Sequence, residues 1–81
     1  MLTFKSIPWI FFKEMDGRKP NTVRFVEESD PRYKIHKSDA PPIKIKIINS
    51  GNPAWFFTRT ITDITFWNGE WIISWKHEEP K

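Results

Sequence analysis

Alternation of apolar and polar residues predicts five extended segments and one helix along this chain. The clearest case is residues 43–48, where the isoleucines at alternate positions would face a core while Lys44 and Lys46 face outward. Shorter alternating segments at residues 2–5 and 21–26 predict two further strands, and residues 55–66 and the segment after Gly69 predict two more. Several antiparallel strands with one N-terminal helix are typical of a small, partly closed β-barrel of the α+β class.

The helix is predicted over residues 7–15, after the first strand. Ser6 is a suitable N-cap residue, and Pro8 is tolerated in a first helical turn. Apolar residues occur on both sides of this helix, so we expect it to be packed around most of its circumference. Gly17 lies where a left-handed C-terminal cap is favoured, and Pro20 prevents the helix from continuing.

The dipeptide Asn68-Gly69 predicts a tight hairpin between the last two strands. A two-residue loop at this point predicts three facing pairs on one apolar side of the hairpin. These pairs are Phe66 with Trp71, Ile64 with Ile73, and Thr62 with Trp75. Ile61 and Ile64 cannot share a face of a regular strand, so a β-bulge is expected near Thr62 or Asp63.

Length and composition predict one small domain over residues 1–81, with a long polar loop at 27–42 and a loose tail at 78–81. The chain has no cysteine, which excludes a disulfide framework and a thiolate metal site. His36 and His77 have no third ligand at a recognisable spacing, so neither a metal nor a cofactor is expected. Because Lys5 interrupts the first apolar segment and no run of ~20 apolar residues occurs, we expect neither a signal peptide nor a membrane span. The absence of cysteine fits a cytoplasmic location, and the chain is taken as a monomer.

The densest group of hydrogen-bonding side chains is at residues 17–24, between the helix and the second strand. Thr22 and Arg24 lie on one face of that strand, and Lys19 lies at its start. These three side chains could therefore converge on one polar ligand, with a planar fork from Arg24 and a point charge from Lys19. The alternative is a helix end that carries solvated cations, and residue chemistry alone does not separate the two.

The pattern Gly17-Arg18-Lys19-x-x-Thr22-x-Arg24, which follows an opening strand and one helix, resembles the signature of ASCH domains in the PUA-like superfamily of small β-barrels. The form with threonine is most similar to the small bacterial acetylcytidine amidohydrolases of this family. There, the lysine and threonine that correspond to Lys19 and Thr22 are proposed catalytic residues, and Arg24 matches an arginine that lines the cleft.

Two departures from this family pattern favour binding over catalysis. Pro20 stands where the family usually has threonine or serine, and residues 43–77 have no room for the helical insertion that carries an acidic general acid or base. The resemblance then implies a small module that binds nucleic acid (RNA or single-stranded) or a modified nucleoside. An amidohydrolase acting on an acylated nucleobase is the alternative.

Two further features are candidates for contact with a ligand. Lys44 and Lys46, together with Arg59, could extend a basic surface along a phosphate backbone, although an ordinary solvated strand face has the same pattern. Trp67 is expected at the hairpin tip, where it could stack on a base, whereas Trp9 and Trp55 are expected in the core. A third functional alternative is a phage or mobile-element product that binds a host protein through this aromatic tip and the long loop.

Overall fold

A curled five-stranded sheet forms most of the computed structural model, which describes residues 2–33 and 43–77. The elements are β1 (Leu2–Ser6), α1 (Pro8–Met15), β2 (Asn21–Arg24), β3 (Lys44–Asn49), β4 (Phe56–Trp67) and β5 (Glu70–Trp75). The strand order is β1-β3-β4-β5-β2, so β1 and β2 are the two edge strands of a half-barrel. The predicted α+β class with a barrel-like sheet and one helix is confirmed at this level.

The expectation of an entirely antiparallel sheet is wrong for one pair of strands. β1 and β3 run parallel, with Leu2 opposite Ile45 and Phe4 opposite Ile47, while the other pairs are antiparallel. The chain between these two strands contains α1 and β2, which gives it the length that a parallel crossover requires. Alternation shows which residues face the core, but it carries no information about the direction of the neighbouring strand.

The concave face of the sheet is covered by inward side chains from each of its strands and by one face of α1. The alternating pattern of β3 is confirmed, because Ile45 and Ile47 are fully buried and Lys44 is exposed. The buried apolar residues are Leu2, Phe4, Phe11, Val26, Ile45, Ile47, Phe57, Trp71, Ile73 and Trp75. This core fixes the relative positions of α1, β1 and β2, which meet at one end of the sheet.

The helix begins at Pro8, with Ile7 as its N-cap and no side-chain hydrogen bond at the cap. The prediction of a Ser6 cap is therefore wrong, because Ser6 remains in β1 and its hydroxyl donates to Glu14. Gly17 follows the helix with a φ of +91°, so its left-handed conformation is confirmed. A Cβ at Gly17 would lie 2.8 Å from Cγ of His77, so the glycine also allows close contact with that ring.

Strand β4 pairs with β3 along its first half and with β5 along its second half. The register shifts between Ile61, which faces Trp75, and Asp63, which faces Ser74. Thr62 is therefore the extra residue of a β-bulge, which confirms the predicted bulge but not the predicted pairing of Thr62 with Trp75. The bulge lets one strand take part in both halves of the curled sheet.

The hairpin between β4 and β5 turns at Asn68 and Gly69, which have φ values of +52° and +79°. Two successive positive φ angles are those of a type I′ turn, which matches the twist of the flanking strands. The two predicted pairs next to this turn are confirmed: Phe66 faces Trp71 and Ile64 faces Ile73.

The predicted long loop, residues 27–42, is described only as far as Tyr33. In this part, the Tyr33 amide donates to the carbonyl oxygen of Asp30, and the Asp30 amide donates to that of Glu27. The remainder of the loop, His36 and the predicted loose tail at 78–81 lie outside the described residues. Within 2–33 and 43–77, no helix has the length and apolar character that a membrane crossing requires.

Candidate functional site

A groove of about 390 Å³ opens between the end of β1, the start of α1 and strand β2. It is lined by Lys5, Ser6, Ile7, Ile10, Lys19, Thr22, Val23 and Arg24. Lys19, Thr22 and Arg24, which the sequence analysis selected as converging on one ligand, therefore all line one concave surface. Its size lies in the range of small-molecule sites, about 300–1,000 Å³.

Strand β2 presents polar side chains to the inside of the molecule and apolar ones to the outside. Thr22 is only 2% exposed, whereas Val23 is 49% exposed and Phe25 is also exposed. Alternation of Val23 and Phe25 with polar residues is typical of a half-buried strand with the apolar residues inside, and β2 has the opposite arrangement. The inward polar residues are accommodated because they bond to each other, with Nε of Arg24 donating to Oγ1 of Thr22 at 2.9 Å.

The guanidinium of Arg24 connects the two edge strands of the sheet. Its Nη1 donates to the carbonyl oxygen of Lys5 at 2.8 Å, and its Nη2 donates to Oγ of Ser6 at 2.6 Å. Burial lowers the pKa of Arg24, while the negative charge of Glu14 acts in the opposite direction. The side chain nevertheless stays protonated, as arginine does in proteins. Arg24 thus occupies the main-chain carbonyl of Lys5, a group that an edge strand would otherwise offer to a further strand.

A second arginine makes a similar contact further along β1. Nη1 of Arg32 donates to the carbonyl oxygen of Thr3 at 2.8 Å, and the same guanidinium binds the carboxylate of Asp30. Hydrogen bonds from the side chain and the backbone of Arg32 lower the pKa of Asp30 to about 2. The Phe4 ring lies 4.4 Å from the Arg32 guanidinium carbon and 5.1 Å from that of Arg24. We call this pair of arginines the arginine seam.

Glu14 is a fully buried carboxylate directly behind the groove, and the sequence analysis did not select it. Its Oε1 accepts a hydrogen bond from Oγ of Ser6 at 2.6 Å. Its Oε2 has no hydrogen-bond partner among the described residues and lies 3.7 Å from Nζ of Lys19. Lys19 in turn donates to the carbonyl oxygen of Asn21 at 2.9 Å. The available signal was that Glu14 shares a helix face with Phe11, which is buried.

These side chains give the groove a net positive, strongly hydrogen-bonding surface. Lys5, Lys19 and Arg24 supply three positive charges at its lining, against the single negative charge of Glu14 behind it. One N–H on each Nη atom of Arg24 has no hydrogen-bond partner among the described residues. The apolar part of the lining consists of Ile7, Ile10 and Val23. Such a surface can bind a flat ligand that presents acceptor oxygens on one edge.

Lys44 and Lys46 do not line this groove but lie on the outer face of β3. Nζ of Lys46 is 4.3 Å from the centre of the Phe56 ring, a cation–π contact on the protein surface. Arg59, which the sequence analysis grouped with these lysines, faces the opposite side of the sheet. Its Nη2 donates to the carbonyl oxygen of Met15, the last residue of α1, at 3.1 Å. It therefore contributes to the end of the helix and not to the basic surface.

The exposed tryptophans lie away from the groove lining. Trp67 is 70% exposed at the hairpin, opposite Glu70, as the hairpin register predicted. Trp9 and Trp55 are also exposed, so the expectation that both belong to the core is wrong. The helix buries only the face that carries Phe11, so Trp9 on another face remains at the surface. The Trp55 ring makes an edge contact with a half-buried neighbour, Phe12, with ring centres 5.7 Å apart.

In the described ranges 2–33 and 43–77, no three His, Asp or Glu side chains are grouped as ligands for a metal ion. Comparison of the chain with models of protein families, with curated proteins and with solved structures found no match. The resemblance of residues 17–24 to ASCH domains therefore stays a prediction.

Proposed function

We propose that this chain is a small cytoplasmic binding module of the PUA-like, ASCH-related type and that its groove binds a nucleobase, in a nucleoside or in a nucleic acid. The observation that carries this proposal is that Lys19, Thr22 and Arg24 line one groove. These are the positions at which the sequence resembles the ASCH signature, and the resemblance implies that they face a common cleft.

The chemistry of the groove suits a base better than a simple anion. Free N–H groups of Arg24 and the ammonium of Lys19 can donate to the carbonyl and ring-nitrogen acceptors of a pyrimidine. The apolar side chains of Ile7 and Ile10 can cover the flat face of the ring. Because three internal hydrogen bonds already hold Arg24, little side-chain entropy is lost when a ligand binds it.

Binding accounts for these contacts better than catalysis through Thr22. The threonine oxygen accepts a hydrogen bond from Arg24, and the residue is 2% exposed, so its hydroxyl is poorly placed to attack a substrate. One observation nevertheless favours the amidohydrolase alternative. The carboxylate of Glu14, 3.7 Å from Nζ of Lys19, provides an acidic group beside the lysine from a different position than the family insertion.

Titration with cytidine, uridine and N4-acetylcytidine, followed by two-dimensional NMR of the 15N-labelled protein, tests the proposal. We expect the amide signals of Ser6, Thr22 and Arg24 to shift with at least one of these nucleosides. Lys19→Gln should weaken that binding by roughly 10-fold to 150-fold, since one charge-assisted hydrogen bond contributes about 1.5–3 kcal/mol. Lys13→Gln is the matched control, because Lys13 is an exposed lysine on α1 that does not line the groove.

The same samples distinguish the alternatives. Release of acetate from N4-acetylcytidine that is lost in Lys19→Gln would show an enzyme instead of a binding module. If no nucleoside or short oligonucleotide shifts the groove signals, the proposed function is wrong. A protein-binding role, the third alternative, would instead survive Lys19→Gln and be lost in Trp67→Ala, because Trp67 is the most exposed of the large hydrophobic residues in the described chain.

A further inference from the structure

The outer face of the sheet carries its lysines on one half only. Along β1, β3 and the first half of β4, the strand register places eight side chains on this face, of which three are lysines and none is acidic. They are Thr3, Lys5, Lys44, Lys46, Ile48, Phe56, Thr58 and Thr60. This half of the outer face is therefore positively charged without compensation from carboxylates on the same strands.

The other half of the outer face has the opposite character. There, Asp63 faces Ser74 and Trp67 faces Glu70, so the second half of β4 and β5 place two acidic side chains on the surface. Trp67, a candidate from the sequence, thus lies beside carboxylates that would repel a phosphate backbone. Because the lysines and the carboxylates lie on different halves of the outer face, a polyanionic partner would bind the half that carries the lysines.

Residues that face each other across β1, β3 and β4 form one level of the sheet, and the three lysines lie at successive outward-facing levels. Lys44 and Lys46 are two residues apart on β3, which separates their Cα atoms by about 6.6 Å. Lys5 on β1 lies opposite Ile48, so it occupies the next level in the same direction. The result is a line of one lysine per level, which we call the lysine row. Lys5 also lines the groove, so the lysine row ends at the groove.

An exposed aromatic ring lies beside the lysine row. Phe56 is exposed and is paired through Ile48 with Lys5, which lies two strands away on β1. Its ring is within cation–π distance of Lys46, at 4.3 Å from Nζ. A positive row that is accompanied by an exposed aromatic side chain is the arrangement by which proteins bind single-stranded nucleic acid, with phosphates on the cations and a base on the ring.

We propose that the ligand of this protein is a single-stranded nucleic acid whose backbone follows the lysine row. One base stacks on Phe56, and a base further along the same strand enters the groove at Lys5. This inference rests on the proposed function, since it assigns the base in the groove to a strand instead of a free nucleoside. Lys44 and Lys46 then contact phosphates upstream or downstream of the bound base.

The salt dependence of oligonucleotide binding tests the lysine row. Affinity for a fluorescein-labelled single-stranded RNA octamer is measured by fluorescence anisotropy between 50 mM and 1 M NaCl. Each phosphate contact on a single strand contributes about 0.7 to the slope of log affinity against log salt, so Lys44→Gln/Lys46→Gln should lower the slope by about 1.4. If wild type and the double variant bind equally at 1 M salt, this difference in slope predicts that the variant binds about 60-fold more weakly at 50 mM.

A control with the same change in net charge is Lys13→Gln/Lys76→Gln, which removes two exposed lysines outside the lysine row. It should leave the slope within experimental error of the wild-type value. Phe56→Leu should weaken octamer binding by roughly fivefold to a hundredfold without changing the slope, because it removes a stacked base but no phosphate contact. All three variants change exposed or half-buried surface positions, and urea unfolding verifies that they fold.

The results separate failure of the lysine row from failure of the groove. An unchanged slope in Lys44→Gln/Lys46→Gln, or an equal decrease in the control, overturns the lysine row even if free nucleosides bind the groove. Competition by heparin with no effect of Phe56→Leu also overturns it, since the surface would then bind any polyanion. If the slope falls as expected but no nucleoside shifts the groove signals, the lysine row is supported and the proposed function of the groove is wrong.

Discussion

Replacing Glu14 with glutamine tests whether the buried carboxylate organises the groove. Glutamine has nearly the same shape and retains an oxygen that can accept the hydrogen bond from Ser6, so the variant removes the charge without making a cavity. The two nearby cations, Lys19 and Arg24, keep their charges in the variant. The variant therefore removes the negative charge near these two cations but preserves the packing of α1 against the sheet.

Three effects decide the size of the change. The hydroxyl–carboxylate bond from Ser6 at 2.6 Å is charge-assisted and contributes about 1.5–3 kcal/mol, compared with about 1 kcal/mol for a neutral bond. The pair with Lys19 is long at 3.7 Å, and the lysine side chain is a third exposed, so it adds about 1 kcal/mol at most. Removal of the charge also relieves the desolvation of a fully buried carboxylate. The first two effects together amount to about 0.5–3 kcal/mol and the third offsets part of them, so we expect a net loss of about 1–2 kcal/mol.

Urea unfolding at pH 7, followed by tryptophan fluorescence, measures this loss as a lower midpoint at constant slope. Ser6→Ala and the double variant complete a thermodynamic cycle, in which we expect a coupling energy of about 1–2 kcal/mol between Ser6 and Glu14. Glu28→Gln is the control, since Glu28 is exposed. A loss below about 0.5 kcal/mol in Glu14→Gln, or a coupling energy near zero, would refute the role assigned to the carboxylate.

Two further predictions concern the parts of the chain that support the groove. Arg32 holds the pKa of Asp30 at about 2, below the usual 3.8, so this carboxylate stabilises the folded state above pH 3.8, and the contribution disappears as the pH falls towards 2. The stability difference between wild type and Asp30→Asn, measured by urea unfolding, should therefore shrink between pH 5 and pH 2, and a constant difference would contradict the assignment. Gly17→Ala should destabilise the protein more than Gly69→Ala, because both residues have a positive φ but only Gly17 also faces His77, at 2.8 Å from the added Cβ. Thermal unfolding of the two variants makes the comparison, and equal losses would show that the His77 contact is unimportant.

The features of the fold that the sequence predicted are those determined by neighbouring residues. The β4–β5 hairpin follows from Asn68-Gly69, because few other dipeptides adopt two positive φ angles at low energy. The bulge at Thr62 follows from a break in the alternation of the same strand. Both depend on residues adjacent in the chain, so a pattern with a period of two is sufficient to locate them.

The burial of β2 could not be predicted in this way. Its pattern of Val23 and Phe25 predicts an apolar inner face, yet Thr22 and Arg24 face inward. The partners of Arg24 on β1 are Lys5 and Ser6, which are 19 and 18 residues away in the sequence. Without knowing that β1 and β2 approach each other, the sequence gives no reason to place an arginine inside the curled sheet.

The buried carboxylate was missed for a related reason. Glu14 shares the buried face of α1 with Phe11, and a charged residue at such a position requires partners that are distant in the chain. Ser6 is one such partner, but the sequence analysis assigned it to the helix cap. Glu14 thus lies 3.7 Å from Nζ of Lys19, at a position different from that of the acidic residue on the family insertion.

The dual role of Arg24 determines which residue can best test the groove. Its hydrogen bonds to Lys5 and Ser6 connect the edge strands, so any substitution of Arg24 changes folding and binding together. The side chain of Lys19 donates to the carbonyl oxygen of Asn21 and is a third exposed. A loss of binding in Lys19→Gln with nearly unchanged stability would consequently report on the ligand, whereas the same loss in an Arg24 variant would not distinguish a ligand contact from an opened sheet.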